Sequence, residues 1–189
     1  MNTKKGFTLV EVIVSIGLFS ILVAISAGGF THALRTQRQI AALIAAQSNA
    51  GLALEQVARE VRTGYLFCHD LTGRPTCTPA GAGPNIYSDL NFYNSASANV
   101  CYTLANGALQ RNDNCSGGGT PQSVTGANVV VKYLTFTVFG NQENDQWNPR
   151  ITISMGVAPS SNDPAIMNDV LDIQTTVSAR IIDCNSIGC

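Results

Sequence analysis

Two sets of residues in this chain have the types and spacing to do chemistry. One is the six cysteines, Cys68, Cys77, Cys101, Cys115, Cys184 and Cys189. The other is a single carboxylate, Glu11, set at the head of nineteen uncharged and mostly apolar residues, Val12 to Phe30. An even set of cysteines reads either as disulfides or as a zinc site. No Cys-x-x-Cys occurs, and the two histidines, His32 and His69, are too few and too scattered to complete a tetrahedral set. Disulfides are therefore the expectation, and with them an oxidising compartment. Several connectivities stay open; the simplest is sequential, Cys68–Cys77, Cys101–Cys115 and Cys184–Cys189. The carboxylate poses a different problem. At mid-membrane it would cost ~2.5–3.5 kcal/mol on insertion scales, and less near an interface. Glu11 therefore calls for a partner.

Catalytic patterns are absent. The chain has no Gly-x-Ser-x-Gly elbow, no His-Glu-x-x-His, no phosphate-binding Gly-x-x-x-x-Gly-Lys and no Cys-x-x-Cys-His. We expect no enzyme activity, no cofactor and no metal. The acidic stretch Asn141-Gln142-Glu143-Asn144-Asp145 offers oxygen ligands but lacks the spacing and glycine of an EF-hand loop, so it reads as a polar turn. Asn114-Cys115-Ser116 fits a glycosylation sequon only formally, because its middle residue is a disulfide candidate. Trp147, Tyr65, Tyr87, Tyr93 and Tyr102 are too dispersed for a base-stacking platform. Charged residues make up 12% of the chain and the net charge is −1. That gives no support for nucleic acid as a partner, which needs a clustered basic face.

The elements that must position these groups follow from hydrophobic pattern. The run Val12–Phe30 is long enough to span a bilayer as a helix, which takes roughly 20 apolar residues. Lys4 and Lys5 ahead of it keep that end cytoplasmic, which places everything after Phe30 outside. Beyond Phe30 the apolar residues become one-sided. Ile40, Leu43, Ile44, Ala50, Leu54, Val57, Ala58 and Val61 recur at helical spacing, while Arg35, Arg38, Gln39, Glu55, Arg59, Glu60 and Arg62 fill the other positions. No proline interrupts, so one helix is predicted from Phe7 to about Arg62, ~85 Å long at 1.5 Å per residue, stopping at Gly64.

Residues 68–86, with Pro75, Pro79 and Pro84, read as irregular. Tyr87–Tyr93 reads as a short strand. Val100–Leu104 and Ala108–Arg111 flank Asn106-Gly107, a type I′ hairpin signal. Asn112–Thr125 reads as a flexible loop. Val129–Phe139 alternates Val131, Tyr133, Thr135, Thr137 and Phe139 against the residues between them, and Arg150–Val157 and Ile173–Ile182 are similar. The predicted fold is α+β, with the long helix packed on one antiparallel sheet. The predicted organisation is a leader at 1–6, a membrane-spanning segment at 7–30, an amphipathic continuation at 31–64 and a disulfide-bearing β-rich domain at 65–189.

The stretch Lys4-Lys5-Gly6-Phe7-Thr8-Leu9-Val10-Glu11, followed by the apolar run, resembles the processing site of type IV prepilins and type II secretion pseudopilins. The resemblance covers about the first 30 residues. It implies that a prepilin peptidase cuts after Gly6, that Phe7 becomes an N-methylated terminus and that Glu11 meets the terminal amine of a neighbouring subunit. Removing residues 1–6 would leave nine basic and twelve acidic groups, a net charge of −3. Where many helices of that family carry a proline about a third of the way down, this chain has Gly28-Gly29. The helix-on-sheet arrangement also looks like the pilin fold. The implied partners are the peptidase, other pilin or pseudopilin subunits, an inner-membrane assembly platform and, before assembly, membrane lipid. The implied location is the bacterial inner membrane and then a pilus or pseudopilus. The segment Asp172-Ile-Gln-Thr-Thr-Val-Ser-Ala-Arg180 resembles minor pilins and pseudopilins. Cys184 and Cys189 enclose only four residues, fewer than the usual loop of a major pilin, which points to a minor, initiating subunit. The alternatives are a major pilin and, from another class, an exported binding or enzymatic domain on a simple signal anchor.

Overall fold

No proline lies between Phe7 and Arg62, and in the computed structural model one helix, α1 (Leu9–Thr63), occupies that stretch and continues through Gly28-Gly29. The structure describes residues 6–68, 84–115, 118–141, 147–161, 166 and 169–180. Lys4, Lys5, Cys77, Cys184, Cys189, His69 and the stretch 142–146 lie outside the described residues. The chain divides into two units, Met1–Ala41 and Ala42–Cys189.

In the second unit α1 buries Ala46, Ala50, Ala53, Leu54, Val57, Ala58 and Val61. Four of these are alanines, which let a sheet approach the helix axis closely. Ile44, assigned to this stripe from sequence, is 61% exposed, and Ile40 in the first unit is 51% exposed. Ile44 stands two positions before Ala46, about 200° around the helix, and so points away from the buried face.

Among the described residues nine strands follow: β1 (Tyr65–Cys68), β2 (Asn85–Tyr87), β3 (Leu90–Tyr93), β4 (Asn99–Ala105), β5 (Ala108–Asn112), β6 (Gln122–Ser123), β7 (Val129–Phe139), β8 (Arg150–Pro159) and β9 (Leu171–Ser178). They form two antiparallel sheets rather than one, in the orders β1-β3-β4-β5-β6 and β2-β7-β8-β9. The division begins in the stretch read from sequence as a single strand. Ser88-Asp89 interrupts it, so β2 pairs with β7 while β3 pairs with β4. Both sheets and the helix share one core, in which Phe67, Phe92 and Tyr102 stack at 5.4 and 6.2 Å between centroids and Phe136, Ile151, Ile153 and Met155 are fully buried.

The hairpin between β4 and β5 turns at Asn106 and Gly107, both at positive φ (53° and 70°), as a type I′ turn demands. The turn also joins the sheets, because the Val131 N–H donates to the Gly107 carbonyl at 2.7 Å. The described part of Asn112–Thr125 is more regular than the expected flexible loop. Within it β6 pairs with β5, and the Leu109 N–H donates to Thr125 Oγ1 at 3.2 Å. Cys101 on β4 and Cys115, near the start of this stretch, form a disulfide, Cα–Cα 5.8 Å. Cys68 is disulfide-bonded as well. With a sequence separation of 14, the Cys101–Cys115 loop should contribute about 3 kcal/mol by restricting the unfolded chain. A Cys101→Ala/Cys115→Ala protein should lose about that much in denaturant unfolding; unchanged stability would count against the account.

Glu60 departs furthest from its sequence reading. Assigned to the outward face, it lies beneath the helix and accepts from the Tyr102 hydroxyl at 2.8 Å and from Arg111 Nε at 3.0 Å on both carboxylate oxygens. Arg111 Nη2 adds a 3.0 Å ion pair, and Arg111 Nη1 also meets Asp113. Tyr102 and Arg111 are direct cross-strand partners on β4 and β5, so one carboxylate fixes the helix to the middle of a hairpin. Burial, then the charge and hydrogen bond of Glu60, raise the Tyr102 pKa. Burial alone would lower Arg111, but its hydrogen bond to Glu60 and the Glu60 charge outweigh that and raise it. A second latch lies about three turns toward the N-terminus of α1, where the Gly126 N–H donates to Asn49 Oδ1 at 2.9 Å.

Candidate functional site

The first turn of α1 is built by its own side chains. The Thr8 N–H and the Thr8 hydroxyl both donate to Glu11 Oε2 at 3.2 Å, and the Glu11 N–H donates back to Thr8 Oγ1 at 3.3 Å. This is a reciprocal capping box, which satisfies backbone donors that a helix start otherwise leaves unpaired. A carboxylate here also faces the positive end of the helix dipole, worth typically 0.3–1 kcal/mol. Thr8-Leu-Val-Glu11 ahead of an apolar run carries the capping signature, and an account of Glu11 only as an unpartnered charge overlooks it. Part of the compensation Glu11 requires is thus local. Both Thr8 bonds land on Oε2; among the described residues Oε1 stays open to a further donor.

Phe7 lies just before this turn and is 85% exposed. Gly6 precedes it, and a Cβ there would meet nothing within 4 Å. No close approach in the fold calls for glycine at that position. Along the rest of the unit, Leu9 through Phe30 present large apolar side chains on every side of the helix, and every described residue of the unit up to Arg38 is exposed. Such a helix needs an apolar surround, either lipid or other helices. Its hydroxyls suit that surround. Ser15, Ser20 and Thr31 donate to the carbonyls of Glu11, Ile16 and Gly28 at 2.7, 2.8 and 2.9 Å, so they offer few unmet bonds to hydrocarbon. The helix is long and apolar enough to cross a membrane.

Cys68, Cys101 and Cys115 lie in the β-rich unit. Asn141, the described residue of the acidic stretch, is buried and donates to the Phe67 carbonyl at 3.2 Å, which is a structural bond. Among the described residues no three His, Cys, Asp or Glu side chains gather as a metal set would.

Residues 1–27 match the family described as the Prokaryotic N-terminal methylation motif. No curated protein and no solved structure matches the chain.

Proposed function

From the methylation motif that marks the type IV pilin and pseudopilin family, we propose that the chain is a structural subunit of such a filament, cut by prepilin peptidase between Gly6 and Phe7. The observation that carries this reading is the turn Phe7–Glu11, with its exposed Phe7 and half-satisfied carboxylate, at the head of an apolar stretch of helix that is exposed as far as Arg38. Before assembly the apolar helix is the inner-membrane anchor. Lys4 and Lys5 hold its start in the cytoplasm, and the Cys101–Cys115 disulfide suits a β-rich unit on the oxidising side. After assembly the same helix packs among its neighbours, and Glu11 Oε1 receives the amine of an adjacent Phe7. A charge inside an apolar bundle is tolerable only when paired, so a subunit docked out of register leaves the pair unmade and dissociates. The subunit works by assembly and carries no catalysis of its own.

Within the filament we assign it a minor, initiating place, on the short Cys184–Cys189 spacing and the strand pattern up to Arg180. The second reading, an exported domain on a plain anchor, parts from the first at the mature terminus. Mass analysis of protein made beside a prepilin peptidase should find N-methyl-Phe7 as the first residue. An intact Met1, or a cut beyond Phe30, would establish the anchor instead.

A further inference from the structure

The outer face of the four-stranded sheet carries two neutral rows, mostly hydroxyl side chains, with an aromatic ring fixed at one end. Register places the rows. Thr137, Thr152 and Thr176 stand side by side on β7, β8 and β9, with Ile86 of β2 completing the row. Thr152 and Thr176 share a hydrogen bond of 2.9 Å. The next row is Thr135, Ser154 and Gln174. All seven side chains are half-buried or exposed, while their strand neighbours Leu134, Phe136, Ile151 and Ile153 face the core. Rows on one face repeat at about 7 Å, and neighbouring strands at about 4.8 Å.

The ring is Tyr133. Simple alternation from Val131 would turn it inward, but a bulge shifts the register between Val131 and Tyr133 and aims it outward. Bulges re-aim side chains in this way and recur beside functional sites. Tyr133 lies across from Gly156, where any Cβ would overlap ring atoms Cδ1 and Cε1. Its hydroxyl donates to Asp172 Oδ1 at 2.7 Å. The ring is therefore held against the sheet at one face and at its tip, yet Tyr133 remains 41% exposed. At the opposite end of the field the Arg150 guanidinium covers the Phe139 ring at 4.8 Å.

We propose that this face is a binding surface for a neutral polysaccharide, with Tyr133 as its stacking platform. The two central rows carry no charge, so they lack the cations on which binding of an acidic polymer rests. Ile86 is their one large apolar member, too little for lipid or for the apolar centre of a protein interface. A sugar polymer has what the face lacks a partner for. Its ring C–H groups carry the slight positive charge that the negative face of an aromatic attracts. Its hydroxyls exchange bonds with threonine, serine and glutamine, which both donate and accept. A ring already immobilised loses little freedom on binding.

The test is affinity electrophoresis of the detergent-solubilised full chain in native gels containing hydroxyethylcellulose, glucomannan or dextran. At least one polymer should retard the protein. Tyr133→Ala should weaken that retardation at least about tenfold, as truncation of an aromatic hot spot does, while Tyr133→Phe should retain most of it. Thr137→Glu, which leaves the ring in place and adds charge mid-field, should weaken it too; circular dichroism would check that each variant is folded. No retardation by any of the three polymers overturns the proposal, as does retardation indifferent to both Tyr133→Ala and Thr137→Glu. Self-association that Thr137→Glu abolishes, without any retardation, would make the face an interface between copies and equally overturn it.

Discussion

Replacing Glu60 by alanine should lower the unfolding free energy of the β-rich unit by about 3 kcal/mol, the low end for breaking a buried ion pair. The low end applies because the Glu60 and Arg111 side chains keep 26% and 15% of their exposure. The loss is large because two partners are stranded at once. Arg111 would retain only Asp113, and the Tyr102 hydroxyl, on a fully buried residue, would lose its acceptor. Tyr102→Phe removes one hydrogen bond and leaves the ion pair, so it should cost about 1 kcal/mol. Glu55→Ala is the control, since Glu55 pairs with Arg59 at 3.1 Å on the open face and should contribute no more than about 0.5 kcal/mol. Denaturant unfolding followed by circular dichroism would rank the three. A Glu60→Ala loss no greater than that of Glu55→Ala would remove the clamp from the account. The same site makes the fold sensitive to alkali. The Tyr102 pKa is raised from 10.0, so the folded state favours the protonated phenol. Its contribution is whole below pH 10 and is lost as pH rises beyond that. Glu60→Ala should flatten this decline.

How much of this was legible in the sequence depended on whether the cause was local. The end of α1 was legible, because Gly64 is needed where a Cβ would come within 2.6 Å of Phe92 Cδ2, and glycine is also an ordinary stop signal. The hairpin at Asn106-Gly107 was legible because the two residues themselves dictate the turn. β7 and β8 were legible through alternation. Their partners were not, because Ser88-Asp89 announces a break without saying that the two halves will join different sheets. Nor was the bulge before Tyr133, which one inserted residue creates without altering the β-branched and aromatic character of the run. Glu60 left a faint trace. An acid in the last turn of a helix opposes the dipole, so it asks for compensation, but its partner Arg111 is 51 residues away. At the N-terminal turn the odd carboxylate was plain, and the Thr8 cap was there to be read beside it.

That cap makes the substitution at Glu11 more informative than a simple deletion. Glu11→Ala removes two things, the box with Thr8 and the charge, and its failure to assemble would not say which mattered. Glu11→Gln separates them. Glutamine serves at the same position of a capping box, so the Thr8 bonds and the helix start should persist, while the charge available to a neighbour's amine is gone. If the charge selects neighbours, Glu11→Gln should insert, be cut after Gly6 and carry N-methyl-Phe7, yet yield at least about tenfold less filament, the effect of losing 1.4 kcal/mol at each docking step. Thr8→Ala makes the converse change. It frays the first turn by about 1 kcal/mol and removes the hydroxyl bond to Oε2, but it keeps the residue 8 N–H on that oxygen and keeps the carboxylate, so assembly should survive with a modest loss. Sheared-filament yield, compared with membrane-bound subunit by immunoblot, reads all three variants on one scale. Normal filaments from Glu11→Gln with defective ones from Thr8→Ala would reverse the assignment, leaving Glu11 as a helix cap and moving the selection of neighbours elsewhere on the apolar helix.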